Sequence, residues 1–244
     1  MVLLSKNNRT YIDENFFKNA DDAFNYYYDE ISNYGRDYDD TKCLFNIGFY
    51  ILDPLDNRIY SEYRSWNSNY AEKEWQWYLN MDPSAIEISK HAKIWINHMD
   101  KIGNVNSNYG YQWNRENQLY NIINKLMNSK ETRQAWLTIY DGKEIDKSEA
   151  TINGYESDTP CTLNIGFNII DDSLCMTVLM RSNDLWYGFC NDQYCFSMLQ
   201  RNIAKTLNIK VGWYYHFANN LHIYNNKLNK KNNGKNGTKS SILR

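Results

Sequence analysis

Cys161 follows a proline at the mouth of an alternating run, and Met180-Arg-Ser-Asn-Asp184 and Asn191-Asp192 come shortly after it. A thiol beside an anion-binding group can build a covalent enzyme. A thiolate at Cys161 needs a cation or donor nearby to lower its pKa, and Arg181, one strand further on, is the candidate. Arg181 and Ser182 offer a fork of donors plus a hydroxyl, suited to phosphate or carboxylate. Asn183-Asp184 and Asn191-Asp192 carry donors and acceptors that can read the edge of a planar heterocycle, although the same residues also favour turns. Glu74 lies among Trp75 and Trp77, where partial desolvation raises a carboxyl pKa towards acid–base use; an exposed helix position is the plainer alternative. His222 and Tyr224 alternate, so both face one side of a strand, as a reactive pair or as a satisfied pair at the core edge. For Cys161 itself a small buried thiol is the commoner explanation on these residues alone.

The elements that must position these groups form an α+β pattern. Residues 1–35 read as an N-terminal helical and irregular extension, with an amphipathic patch from Phe16 to Ile31. Residues 36–226 form the main domain. Cys43 to Leu52 reads as a buried strand closed by Pro54, and Tyr70 to Leu79 as a helix with a broad apolar face. Pro83 precedes a second helical piece ending near Met99. Asn106 to Trp113 reads as a turn-rich loop with three aromatics. Leu119, Ile122, Ile123 and Leu126 are spaced as a core helix face. Gln134 to Tyr140 is a strand candidate, and residues 141–158 read as a polar surface loop. Leu163 to Ile169 and Leu174 to Met180 read as two strands joined at Asp171-Asp-Ser173. A helix then runs from Asp192 to Leu207, followed by short strands at Val211–Phe217 and Leu221–Tyr224. The order lacks regular βαβ alternation, so the sheet is mixed and mostly antiparallel or meandering. Residues 227–244 hold lysines and an arginine without acids and read as a basic, disordered tail, a solvated segment rather than a nucleic-acid arm.

The 244 residues suit one large domain with ragged ends. A formal charge of −2 does not point to nucleic acid. Twenty-one tyrosines and eight tryptophans suggest a wide core or stacking surfaces. No run approaches the ~18 apolar residues of a membrane span, and Met1-Val-Leu-Leu-Ser5 is too short for a signal-peptide core. Five cysteines, an odd number without CxxC spacing, argue against a disulfide framework or zinc site, so no metal is expected. A reduced, cytoplasmic chain fits, in a host cytoplasm if the source is viral.

Asn108-Tyr-Gly-Tyr-Gln-Trp113, Thr159-Pro-Cys-Thr162, Arg181-Ser-Asn-Asp184 with Gly188, and Leu221-His-Ile-Tyr224, in this order, resemble the thymidylate synthase family across residues 36–226. Within it, Asn106 to Gly110, Cys161-Thr162 and Met180 to Asp184 are most similar to the phage deoxycytidylate hydroxymethylases. The resemblance implies a thymidylate synthase-like fold, a twisted mixed sheet packed with helices, and a sheet-mediated homodimer. It implies that Cys161 adds to carbon 6 of a pyrimidine nucleoside monophosphate, and that 5,10-methylenetetrahydrofolate supplies a one-carbon unit to carbon 5. Arg181, Ser182 and Arg36 would hold the 5′-phosphate, with Arg133 arriving from the partner subunit, while His222 and Tyr224 would bind the sugar 3′-hydroxyl. Glu74 would be the general acid–base that organises water, Tyr109 would sit where the carbon 5 proton leaves, and Trp95 and Asp184 would line the folate pocket.

Departures from the family pattern bear on the product. Arg133-Gln134 stands where the family usually has two arginines, and Thr162 stands where thymidylate synthases have histidine. Ile242-Leu243-Arg244 matches poorly with the apolar segment that closes over folate. The substrate turns on one position. Thymidylate synthases carry an asparagine eleven residues after the phosphate-binding arginine and four after the glycine, and this chain has Asp192 there. A carboxylate accepts from a 4-amino group and a protonated N3 but cannot donate to a 4-oxygen, so Asp192 favours cytosine. A one-residue slip to Asn191 restores the uracil reader. The reading is therefore a deoxycytidylate hydroxymethylase, in which water rather than hydride completes the reaction. The rivals are a methylating enzyme of the same family acting on dUMP or dCMP, and a non-catalytic nucleotide-binding relative.

Overall fold

In the computed structural model, which describes residues 15–141, 158–228 and 230, the chain enters through a short strand, β1 (Asn15–Phe17), and turns into a helix, α1 (Ala20–Tyr34). Asn19 caps α1 by accepting from the Asp22 amide at 2.9 Å, and Asp21 and Asp22 place negative charge on the first turn. Ala20, Ala23, Phe24, Tyr27, Tyr28 and Ile31 are buried in the same core as the sheet. Residues 15–34 are thus part of the main body, which differs from the extension expected. The amphipathic patch read from Phe16 to Ile31 is the face that joins this core, and two of its six buried side chains on α1 are tyrosines. Residues 1–14 lie outside the described residues.

β2 (Arg36–Tyr38) folds back on β3 (Thr41–Ile51), an eleven-residue strand of Phe, Ile and Tyr that fits the buried strand expected from Cys43. α2 (Ser68–Leu79) follows, then α3 (Ile86–Ser89) and a 3-10 turn over Lys93–Asn97. Half of the expected loop at Asn106–Trp113 is a helix, α4 (Tyr109–Asn114). The asparagine that signals a turn is its cap, since Asn108 Oδ1 accepts from the Tyr111 amide at 2.7 Å. α4 sits so close on α2 that a Cβ on Gly110 would lie 1.7 Å from the Tyr78 carbonyl oxygen, so only glycine fits there. α5 (Gln118–Asn128) turns Ile122 and Leu126 inward, as its spacing predicts, and β4 (Trp136–Thr138) follows.

β5 (Thr162–Ile170) and β6 (Ser173–Met180) form a hairpin. Its turn residues, Asp171 and Asp172, both adopt left-handed angles, φ 48° and 52°, which suit a two-residue turn between twisted strands. β7 (Asn183–Asp184) leads through a π-helical turn, Leu185–Phe189, into α6 (Cys190–Leu207). The last strand, β8, runs unbroken from Lys210 to Tyr224, where two short strands were expected. Asn219-Asn220 reads as a break, but pairing along β3 carries the strand through it, and Asn219 Nδ2 donates to Asn46 Oδ1 at 2.9 Å. Tertiary pairing outweighs the turn preference of asparagine.

Among the described residues eight strands make one sheet in the order β1-β3-β8-β6-β5-β4, with β2 on β3 and β7 on β8. β3/β8, β5/β6, β4/β5 and β2/β3 are antiparallel, whereas β1/β3, β6/β8 and β7/β8 are parallel. The sheet is mixed, as expected. α1 and α6 pack on it, and α2 packs on α6. Among the described residues, no helix is long and apolar enough to cross a membrane. Of the expected surface loop at 141–158, residues 142–157 lie outside the described residues, but Asp158 is buried. The basic tail lies outside them except for residues 227, 228 and 230.

Candidate active site

The β5/β6 hairpin is closed at its Asp171 end, so its open end sets Cys161 and Arg181 side by side. The Arg181 amide donates to the Cys161 carbonyl at 2.9 Å. Its guanidinium donates through Nε to the Pro160 carbonyl at 3.0 Å and through Nη2 to the Thr159 carbonyl at 2.7 Å, and Nη2 stands 3.8 Å from Cys161 Sγ. Arg181 thus clamps the loop that carries the thiol and also supplies the cation beside it. Cys161 is half-buried, whereas Cys43, Cys175, Cys190 and Cys195 are free and buried. Burial pushes the Cys161 thiol up to about 11; Arg181 pulls it down, and Asp192, Asp158 and Asp184 push it up. The thiol is therefore protonated at rest. Alkylation of Cys161 by iodoacetamide, read by mass spectrometry, should rise roughly tenfold per pH unit from neutrality to about pH 10. It should be slower in Arg181→Gln at each pH. A rate already flat at neutral pH would show a preformed thiolate instead.

Asp158 ties this loop to α4. It accepts from the Ser107 amide at 2.6 Å and the Ser107 hydroxyl at 2.8 Å. That anchor holds Tyr109, at the start of α4, where Asp192, Cys161 and Asp158 are its titratable neighbours. Tyr109 is 4% exposed, with its ring against Tyr78 and Phe196.

α2 brings Glu74 in from the other side. Glu74 is 6% exposed, and burial with Asp192 nearby pushes its carboxyl up to about 8. Its Oε1 accepts from the Tyr70 hydroxyl at 3.3 Å and the Tyr78 hydroxyl at 3.4 Å, while Oε2 is buried without a partner among the described residues. A buried carboxyl oxygen in that state has room for a proton or a water. Trp95 Nε1 donates to Tyr70 Oη at 2.9 Å, so Trp95 is linked to Glu74 through one hydroxyl. Trp95 also stands edge-on to Trp77. Tyr70 had no sequence signal beyond its place one turn before Glu74.

The first turn of α6 separates the two candidate base readers. Asn191 is turned aside: its Oδ1 accepts from Trp66 Nε1 at 2.9 Å and its Nδ2 donates to the Tyr187 carbonyl at 3.0 Å. Asp192 lies near Glu74, Cys161 and Tyr109, and burial pushes its carboxyl up to about 7. Asn183 Nδ2 donates to Asp192 Oδ2 at 2.8 Å, and among the described residues Oδ1 has no hydrogen-bond partner. Asn183 Oδ1 in turn meets His216 Nε2 at 3.1 Å, and His216 Nδ1 meets Tyr214 Oη at 2.8 Å. Sequence reasoning missed His216 and Tyr214; their alternation on β8 was the only signal.

β7 pairs with β8 so that Asn183 faces Leu221 and Asp184 faces His222, which joins the two motifs. His222 Nδ1 lies 3.0 Å from Asn220 Oδ1 and 3.5 Å from Ser182 Oγ. The Asn220 oxygen can only accept, so Nδ1 carries the proton and Nε2 is left as an acceptor. Burial lowers the His222 pKa, which keeps the ring neutral. The Tyr224 ring stands edge-on to it at 5.6 Å. Arg36 pairs with Cys43, which pairs with His222, so Arg36 lies two strands across from the histidine, roughly 10 Å. Asp184 accepts from the Trp186 amide at 2.8 Å and caps the π-helical turn. Burial pushes its carboxyl up to about 6. Arg133 is exposed between α5 and β4 and is not brought to the cleft; among the described residues it has no hydrogen bond or ion pair.

The pattern of the family described as thymidylate synthase matches residues 61–236. The chain is similar to the deoxyuridylate hydroxymethyltransferase of Delftia phage PhiW-14, 27% identical over 191 residues, which are 74% of this chain and 52% of that protein. It is 33% identical over 127 residues to the protein of the same name in Pseudomonas phage M6, covering 50% of this chain and 34% of that one. A thymidylate synthase of Clostridium beijerinckii is 24% identical over 160 residues, 65% of this chain and 58% of that enzyme. The chain thus spans about half the length, or less, of the two phage relatives. The matched span runs from before α2 to beyond β8 and so takes in both the thiol hairpin and the carboxylate helices: this chain belongs to the thymidylate synthase family.

Proposed function

We propose that the protein is a deoxycytidylate 5-hydroxymethyltransferase. The single observation that carries this reading is the carboxylate of Asp192 in the cleft, with Asn191 tied to Trp66 and Tyr187 outside it. An Asp192 carboxyl with a pKa near neutrality can share one proton with cytosine N3 and accept from the 4-amino group. As the Cys161 sulfur bonds to carbon 6, the π electrons move towards N3, where that proton makes the ring a better sink. Arg181, Ser182 and Arg36 hold the 5′-phosphate, and Arg133 of the partner subunit completes the clamp. The neutral ring of His222 accepts from the sugar 3′-hydroxyl through Nε2, beside Tyr224.

When bound, 5,10-methylenetetrahydrofolate supplies a one-carbon unit at the oxidation level of formaldehyde. Trp95, braced edge-on by the buried Trp77, offers an indole for a flat pterin, and Asp184 offers a carboxyl of raised pKa for its ring nitrogens. Tyr109 stands where the proton leaves carbon 5. Glu74, protonated or holding water at its unpartnered Oε2, directs water to the exocyclic methylene that results. The new C–O bond pushes electrons back into the ring, the S–C6 bond breaks, and Cys161 leaves as the thiolate. A homodimer through the sheet fits this scheme; Trp136, 42% exposed over Gly166, lies on β4 of that sheet.

The relatives' names favour a second reading in which dUMP is the substrate. One incubation separates them: protein, methylenetetrahydrofolate and dCMP or dUMP in turn, with product masses measured. Hydroxymethyl-dCMP is the expected product. Hydroxymethyl-dUMP alone would overturn the base assignment, and a methyl product with dihydrofolate would overturn the hydration step.

A further inference from the structure

We propose that His216 and Tyr214 are positioning residues that set which hydrogen-bonding face Asp192 shows to the pyrimidine, a role that rests on the assignment of Asp192 as base reader. His216 is 0% exposed and among the described residues has no acidic partner, so it is neutral and carries one ring proton. Its ring is held between Phe49 and Phe189, each with its centroid 5.2 Å away, at angles of 34° and 82°. That packing fixes the ring plane, and Tyr214 on Nδ1 with Asn183 on Nε2 holds the ring against a half-turn that would put carbons in their place.

The partners then assign the proton. Asn183 meets His216 Nε2 through Oδ1, which only accepts, so Nε2 carries the hydrogen. Nδ1 is left as an acceptor, and the Tyr214 hydroxyl donates to it at 2.8 Å. With its carbonyl engaged by His216, Asn183 turns its amide nitrogen to Asp192 Oδ2 at 2.8 Å. The chain runs one way, from Tyr214 to His216 to Asn183 to Asp192. Every donor in it points towards the carboxylate.

The reverse arrangement shows what this direction achieves. With the proton on His216 Nδ1, bare Nε2 would accept from a flipped Asn183 amide. The Asn183 carbonyl would then face Asp192 and require a donor from it. Asp192 would have to spend its proton on Asn183 and could not share it with a base. The observed direction keeps Oδ2 an acceptor in either charge state and leaves Oδ1, the oxygen without a partner, for the ring edge. Tyr214 lies at the far end of the chain, three hydrogen bonds from the carboxylate, and touches neither base nor sugar in this scheme.

The test measures dissociation constants of dCMP and dUMP with wild type, Tyr214→Phe, His216→Gln and His216→Met. Inorganic phosphate serves as a probe of the clamp alone. Tyr214→Phe should reduce discrimination between the two nucleotides by about tenfold, equal to about 1.4 kcal/mol, with phosphate affinity unchanged. His216→Met, which has no donor, should reduce it further. His216→Gln, whose amide can still donate to Asn183, should retain most of it. Equal weakening of both nucleotides in all three variants would show a merely structural role and overturn the proposal, as would an unchanged ratio. If Tyr214→Phe does not fold, the contrast between His216→Gln and His216→Met decides. A wild type that prefers dUMP would overturn the assignment of the base, whereas the relay would still be judged by whether the variants move the ratio.

Discussion

Cys161→Ser is expected to lower turnover of dCMP by about 10⁴-fold or more while leaving nucleotide affinity within a few-fold of wild type. In the proposed reaction the thiol adds to carbon 6, and sulfur forms that bond and leaves again readily. A serine hydroxyl holds its proton far more tightly than even this thiol does, so it reaches the anion far less often, and an alkoxide is the poorer leaving group. The neighbours of Sγ are Arg181 Nη2, already donating to the Thr159 carbonyl, and carboxyls that raise the thiol pKa. The proposed phosphate clamp does not depend on the sulfur, because Arg181 is held by backbone carbonyls. Binding and chemistry should therefore separate. Product formation and nucleotide titration on the same preparation check it; residual activity within tenfold of wild type would remove Cys161 from the mechanism.

Asp192→Asn is expected to shift the ratio of dCMP to dUMP turnover towards dUMP by about 100-fold, or about 2.8 kcal/mol. The wrong base leaves a desolvated donor or acceptor unpaired, which costs about 1–3 kcal/mol per group. The substitution also removes a group whose pKa lies near 7, so a second effect follows. Sharing a proton between Asp192 and N3 requires uptake of that proton once Asp192 is ionised. In wild type, dCMP affinity should fall as pH rises above about 7, and in Asp192→Asn this dependence should vanish. Calorimetric titrations across that pH range measure it. An unchanged base preference in the variant would assign base reading to another residue.

Much of the scaffold could be read from periodicity. β3, α2, α5, β5, β6 and α6 all have regular apolar spacing, and the Asp171-Asp172 turn carries its own backbone signal. The errors came where polar residues did structural work. Asn108 looked like a loop and was a helix cap; Asn219-Asn220 looked like a break and was paired through. The site shows the same limits. Cys161 and Arg181 were legible because a tight hairpin brings neighbours in sequence together. Choosing Asp192 over Asn191 needed the phase of a helix, which one residue changes by about 100°. His216 was not legible, since its partner Asn183 comes from another strand, 33 residues away.

The unbroken run of β8 has a consequence for which changes the chain can absorb. This strand is hydrogen-bonded on both sides, to β3 and β6, and carries Tyr214 and His216 on its buried face at one end; past Asn219-Asn220 the buried face passes to Leu221 and Ile223, which sets His222 and Tyr224 on the other side. Side chains alternate along a strand with period two, so losing or gaining a single residue between Ala218 and Leu221 would send one pair to the opposite face. Substitutions in this stretch preserve that phase and length changes destroy it. Variation by indel is therefore confined to the loops, and the histidines at the two ends of the strand are inherited as a unit of fixed length.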